Sequence, residues 1–512
     1  MFADAATEDF FRARLDHMID LRHSLVVLSS RMPWQQIEAC VAHLFSRQSR
    51  AGTAQPDLDL FGEQVTRAAP ASNAWRPRAP LRTMIALLYL KHAFNLSDEA
   101  VVQGWSENPY WQHFSGMAYF ETRQPCDATT LVKFRRLLGD EGVEELLAQR
   151  VNLAVSPKLI PVAAMATLVV DSTVQEKAVA HPMYSKLLET ARCKLVQAAQ
   201  GAVIELKQTF AKEGWLLRFK AGRYAHAKQF RRMRRVIKRQ STVVGRLVRE
   251  IERKASELTE RGAERGTAVR EALRAAMAKA QHIADQSRSR KKTTGVPKLY
   301  AWHAPEVECI AKGNSKTPYE FGFKVGIAAT LKHNLIVRAR AFTGNPYDGH
   351  TLREQLEQAT ILMQDRGCKP ITAYVDLGYR GVDGDNPTVA IKHRGRFKTL
   401  AAQERKLLKR RQTIEPTIGH LKADHRMDRC HLKGEQGDKL HAVLCAAGYN
   451  IRWLLRMIAK KGVPFLQQLY LRLYQAAALS PNWARMLLNL AVNALLIRPC
   501  EVIGDFNTDR PW

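Results

Sequence analysis

MATLVVD, residues 165–171, is a short run of apolar and β-branched residues that ends on an acid. It is too short for a helix and rich in β-formers, so it reads as a buried strand closing at Asp171. A second run, ITAYVD (371–376), closes the same way on Asp376. Between them, YEFGFKVGIAAT (319–330) and LIVRARAFTG (335–344) alternate in strand fashion around LKHN and read as a hairpin. GNPYDGHTLREQLEQATILMQD follows as a turn feeding a helix capped near Asp348, PTVAIKH (387–393) is a short strand, and a basic helix runs from about 400 to 428. Strand, long insertion, hairpin, helix, strand, helix is the order of a mixed α/β sheet.

Outward from this sheet, residues 1–160 read as helical. LRTMIALLYLKHAF (81–94) has an apolar face at helical spacing, Ser97 opens the next helix at SDEAVVQGW, and Asp127 or Thr129 caps TLVKFRRLLGDEGVEELL. Trp105, Tyr110, Trp111 and Phe114 form an aromatic stripe of the kind that packs helices together. Residues 50–79 are rich in Ala, Pro, Gly and Ser and read as a linker or long loop. From 188 to 292 a strongly basic helical block intervenes. Residues 193–292 hold 26 Lys+Arg against 9 Asp+Glu, densest at RRMRRVIKR (231–239). Apolar heptad spacing is weak there, so the block reads as a long helical hairpin with a solvated basic surface.

The whole chain, 512 residues, carries a formal net charge of +30 and is 46% hydrophobic, enough apolar material for a packed core. Such charge calls for a polyanion, and nucleic acid is the usual one because neutralising phosphates releases condensed counterions. The apolar stretch Met486 to Ile497 holds only 12 residues, two of them asparagines, against about 20 for a membrane span. The start, MFADAATEDFFRARLD, is acidic where a secretory signal is basic, so a cytoplasmic location is expected. Eight scattered cysteines without a C-x-x-C pair read as reduced thiols. Cys430, His431, His441 and Cys445 can be drawn as a zinc site, but their spacing fits no standard pattern and core packing is the better reading.

The acids at the strand ends carry the chemistry. Strand ends of an α/β sheet meet in one crevice, so Asp171 and Asp376 can converge although 205 positions apart. Glu415 follows 39 positions later on the basic helix. Three carboxylates held together repel unless cations are present, and carboxylate oxygens are the ligands Mg²⁺ prefers. Two such ions about 3.5–4 Å apart stabilise both attacking and leaving oxygens in phosphodiester displacement. Arg411, Glu415 and Lys422, four and seven positions apart, share a helical face, with Arg426 near the same side. Pro416 disfavours helix at Glu415, so the helix either starts or kinks there.

LVVDSTVQEKAVAHP (168–182), HAPEVECIAKG (303–313), PYEFGFKVGIA (318–328), GNPYDGHTL (344–352), YVDLGYRG (374–381) and RRQTIEPTIGHLKADHRM (410–427) resemble the DDE transposases of bacterial insertion sequences, in the IS-five group of the IS-four/IS-five superfamily. The superfamily signature Y-x2-R-x3-E-x6-K is matched at Arg411, Glu415 and Lys422, with Leu408 in place of the tyrosine. The resemblance implies an RNase H-like catalytic domain over 161–187 and 295–460. The rest would be an N-terminal all-helical domain (1–160) for DNA-end binding or dimer contact, the basic helical insertion (188–294) and a helical tail (461–512). It also implies that Asp171, Asp376 and Glu415 bind two Mg²⁺ ions, with Mn²⁺ as a possible substitute, while Arg411, Lys422 and Arg426 hold DNA. Arg231, Arg232, Arg234 and Arg235 of the basic block are expected to do the same. The activity implied is metal-dependent cleavage at terminal inverted repeats followed by strand transfer, by a homodimer on double-stranded DNA, associated with the bacterial nucleoid. A DNA-binding remnant without catalysis, or an RNase H-fold nuclease without strand transfer, are the alternatives.

Overall fold

The computed structural model describes residues 14–45, 57–58, 64–65, 79–155, 160–260, 267–289, 297–311, 318–364, 367–381, 384–395 and 400–478. Helices α1 (Leu15–Met18), α2 (Ser24–Arg31) and α3 (Trp34–Ala42) come first, then a two-residue strand pair, β1 (Asp57–Leu58) and β2 (Gln64–Val65). The remainder of the 50–79 linker lies outside the described residues up to Ala79. Next are α4 (Leu81–Ala93), α5 (Asp98–Glu107), α6 (Pro109–Phe114) and α7 (Ala128–Val155). The expected caps are in place: Ser97 accepts from the Ala100 N–H at 3.0 Å, and Asp127 from the Thr129 N–H at 2.8 Å. Helix α7 is broken at Gly139, whose φ of 63° favours glycine. Trp105 and Phe114 are buried in this helical layer, as their spacing predicts.

The mixed sheet is built on β3 (Thr167–Lys177), which is followed by α8 (Tyr184–Gly201), α9 (Ala211–His226), α10 (Phe230–Glu260) and α11 (Thr267–Arg288) before the chain returns to β4 (Glu308–Ala311), β5 (Tyr319–Thr330) and β6 (Ile336–Phe342). Then come α12 (Asp348–Met363), β7 (Thr372–Tyr374), β8 (Ala390–Lys392), α13 (Ala402–Arg410), α14 (Ile414–Asp424), β9 (Arg429–Cys430) and α15 (Gly434–Ala478). Strand β5 runs antiparallel to β3, and its other edge is shared by β4 and β6, both antiparallel. On the opposite side of β3 lie the parallel strands β7 and β9, with β8 beyond β7. Consecutive residues Leu168, Val169 and Val170 are all buried, because helices cover both faces of the sheet.

Two expectations need correction here. Strand β3 does not close at Asp171 but runs on to Lys177, because the more polar residues after Asp171 keep pairing with β5 and bury Val174, Gln175 and Lys177. Asp171 is therefore a mid-strand residue. Nor is the basic block a solvated hairpin. Helices α8, α10 and α11 enclose an apolar cluster of their own, and α10 contributes Val243, Val244, Leu247, Val248 and Ile251 at helical spacing. By contrast, the helices before residue 160 share one continuous core with the sheet, α12, α14 and α15. The tail expected over 461–512 begins as the end of α15, and residues 479–512, with the Met486–Ile497 stretch, lie outside the described residues. Among the described residues no helix is long and apolar enough to cross a membrane.

Candidate active site

Register brings the two aspartates together. In the parallel pair, Val169 lies opposite Tyr374. Asp171 follows two residues later within β3, and Asp376 follows two residues past Tyr374, just beyond the end of β7, so the pairing brings the two acids to neighbouring positions at this edge of the parallel pair. Asp376 caps a short 3₁₀ turn, Leu377–Tyr379, by position only; its side chain makes no cap hydrogen bond there. Arg411 is what touches both acids: one guanidinium nitrogen lies 3.1 Å from Asp171 Oδ2, the other 3.4 Å from Asp376 Oδ1. The arginine side chain is 6% exposed, Asp171 18% and Asp376 50%. The Ser172 N–H donates to Asp171 Oδ1 at 2.8 Å, which fixes that carboxylate and leaves Oδ2 turned to the arginine. Burial raises the Asp171 pKa above the usual carboxylate range and Asp376 adds to it, against the lowering pull of Ser172 and Arg411.

Arg411 comes from a 3₁₀ turn, Arg411–Thr413, that joins α13 to α14. The single basic helix expected from about 400 to 428 is thus two helices with a tight turn between. Glu415 is the second residue of α14, one helical turn past Arg411, and its side chain is exposed. Pro416 resolves as a helix start: it sits in the first turn, where its missing N–H costs no intrahelical bond. Glu415 and Lys422, seven positions apart, share a face of α14. Arg426 does not, since the helix ends at Asp424 and Arg426 takes a left-handed conformation with φ of 68°. Its guanidinium donates to the Asn95 carbonyl at 3.5 Å. Leu408, in the signature's tyrosine position, is buried in the core. Arg231, Arg232, Arg234 and Arg235 stand exposed on the first turns of α10.

Sequence reasoning missed a second layer. Asp348 does not cap α12; the Ser172 hydroxyl donates to its Oδ1 at 2.9 Å, and Lys324 Nζ is 3.2 Å away. Lys324 also donates to the Pro346 carbonyl at 2.7 Å. Tyr379 is fully buried beside them, and its phenol is pushed far up, first by burial and then by Asp348 and Asp171. Opposite Ser172 stands Gly326, where a Cβ would come 2.4 Å from the buried Gln355 amide, so any larger residue here would have to displace that side chain of α12. The signal lay in GNPYDGHTL, whose acid reads as a cap until the strand partners are known. The paper cluster of cysteines and histidines is also rearranged. His441 and Cys445 meet His92 of α4, with ligand atoms within 4.8 Å, while Cys430 lies beside Asp438. Burial first, then Lys91, Arg135 and Arg426, keep both imidazoles neutral, and those same cations oppose a metal ion.

Two family models match the chain: "Transposase domain (DUF772)" over residues 56–137 and "Transposase DDE domain" over residues 285–451. The second match contains Asp376, Arg411, Glu415, Lys422 and Arg426, and Asp171 falls between the two. The chain is 36% identical over 222 residues, 43% of its length, to a Rhizobium meliloti protein described as "Uncharacterized protein ORF8 in nfe locus", of which the match covers 95%. No solved structure matches.

Proposed function

The chain belongs to the DDE transposases of insertion-sequence-type mobile elements, and from that premise we propose that Asp171, Asp376 and Glu415 are its catalytic acids, cutting DNA at terminal inverted repeats and joining the freed end to a target. The observation that carries this reading is the shared register of β3 and β7, which sets Asp171 and Asp376 side by side with Arg411 across both. The donor set fits a hard divalent cation: one carboxylate is largely buried and crowded by a second, so cationic compensation is needed, and oxygen ligands suit Mg²⁺ or Mn²⁺. Divalent ions bound there would supply the Lewis-acid chemistry of phosphodiester displacement. Ser172 orients Asp171, Arg411 keeps the two carboxylates in register, and Glu415 completes the acid set from the mouth of α14. Lys422, on the Glu415 face of α14, would grip phosphates near the cut, whereas Arg411 is taken up by the two aspartates and Arg426, turned toward Asn95, would reach DNA only beyond that face; the arginines of α10 would bind DNA further out.

The long central strand of the mixed sheet, with a hairpin on one side and parallel strands on the other, supports an RNase H-like domain interrupted by the basic helices. Membership of the IS-five group, a homodimer holding both element ends, end recognition by the N-terminal helices and residence in the bacterial cytoplasm on the nucleoid complete the proposal. The test is cleavage of a labelled duplex carrying the element's end, in Mg²⁺ or EDTA, by the wild type and Asp376→Asn. Metal-dependent nicking at the end, reduced at least ~10²-fold in the variant while DNA binding persists, is the expected result. If both proteins bind the end and neither cuts with Mg²⁺ or Mn²⁺, the catalytic assignment fails.

A further inference from the structure

On α9 the chain leaves two large rings in water. Trp215 is 63% exposed and Phe219 52%, one helical turn apart, with their rings parallel to within 6° and centroids 5.8 Å apart. One turn on, the Arg223 guanidinium lies 5.9 Å from the Phe219 ring. With Lys186, Arg218 and His226 these residues line an open groove of ≈ 530 Å³, and none of its lining residues is acidic. Past the groove the chain passes exposed Phe230 and enters the exposed arginines of α10.

Flat apolar rings in a groove with basic and no acidic side chains select for a particular occupant. An isologous contact with a second copy would press these arginines against their own images, in a chain already at +30. A polyanion complements the fringe, and a nucleobase, which offers a π-face, complements the rings. In duplex DNA the base faces are stacked on each other and closed to such rings; in a single strand they are free. We propose that this face of α9 binds single-stranded DNA, unpaired bases stacking on Trp215 and Phe219 while Lys186, Arg218 and Arg223 take the phosphates. The proposal rests on the reading that the chain acts on DNA, but on none of the catalytic acids.

The test uses the full chain with Trp215→Ala/Phe219→Ala, a labelled oligothymidylate of about 15 nucleotides, and a blunt duplex of equal length, followed by fluorescence anisotropy. Both rings are exposed and alanine favours helix, so the fold survives, which a thermal melt verifies. The expected result is a loss of roughly tenfold or more in oligothymidylate affinity, with duplex affinity held within about twofold. Trp215→Phe, which keeps a ring, retains most of the single-strand affinity. Unchanged single-strand binding overturns the proposal. So does an equal fall for both probes, which would mean unspecific electrostatic contact, or a shift in oligomeric state by light scattering without change in DNA binding, which would make the face a contact between copies. Cleavage by the double variant and by Asp376→Asn, read in parallel, separates failure of this site from failure of the active-site reading.

Discussion

Between Asp171 and Asp376, two carboxylates that otherwise repel, sits the Arg411 guanidinium, 3.1 Å from one and 3.4 Å from the other. The arginine and Asp171 are largely buried, so removing one partner leaves charge with poor solvation. Arg411→Gln is expected to destabilise the metal-free protein by about 2–3 kcal/mol, less than a fully buried pair because Asp376 is half exposed. Melting with and without Mg²⁺ checks this: the added ion raises the melting temperature of the variant more than that of the wild type. Equal shifts would show that the arginine does not stand in for cationic charge. From the sequence, Arg411 reads as a DNA-holding cation on the Glu415 face; in the fold, the turn between α13 and α14 buries it against the two aspartates.

At the scale of elements, one slip of register between β3 and β7 would send the two acids to opposite faces. The runs 165–171 and 371–376 revealed the strands and their acids, but no local pattern says that Val169 pairs with Tyr374. The same holds for Asp98, a first-turn acid of α5 by sequence. In the fold it accepts from both Arg135 guanidinium nitrogens at 2.6 and 2.7 Å and from Lys91 at 2.7 Å, tying α5 to α7 and α4. Burial alone would raise its pKa, but Arg135 and Lys91 outweigh burial and hold it at about 2. A carboxyl depressed from 3.8 to about 2 contributes stability above pH ~4 that disappears as pH falls toward 2. Asp98→Asn should therefore cost about 2–3 kcal/mol at neutral pH, and the difference from wild type should shrink steadily between pH ~4 and ~2 in urea titrations. A pH-independent difference would place the effect in packing.

Across the whole molecule, charge and apolar core are divided unevenly. One core joins the N-terminal helices, the sheet and α15; a second lies inside the basic four-helix unit between β3 and β4. That unit contains most of the surplus positive charge, and Arg231, Arg232, Arg234 and Arg235 stand exposed on it. Duplex affinity is expected to fall steeply with salt. Changing Arg231, Arg232, Arg234 and Arg235 together to glutamine should flatten the slope of log K against log salt by about 3.6 if each arginine meets one phosphate. An unchanged slope would mean that the DNA path runs elsewhere.

Composition, charge and local pattern pointed to a nucleic-acid partner, located the helical and strand segments and singled out three acids with basic neighbours as candidates, because these depend on side-chain type and on periods of two or 3.6 residues. Only the tertiary structure decided the rest: that β3 continues through Asp171, that Arg411 turns inward, that Asp348, Lys324 and Tyr379 stand behind the site, and that the basic block has its own core. Each of these depends on pairing between segments tens to hundreds of residues apart. Long-range register and burial set such pairing, and no short window of sequence contains them.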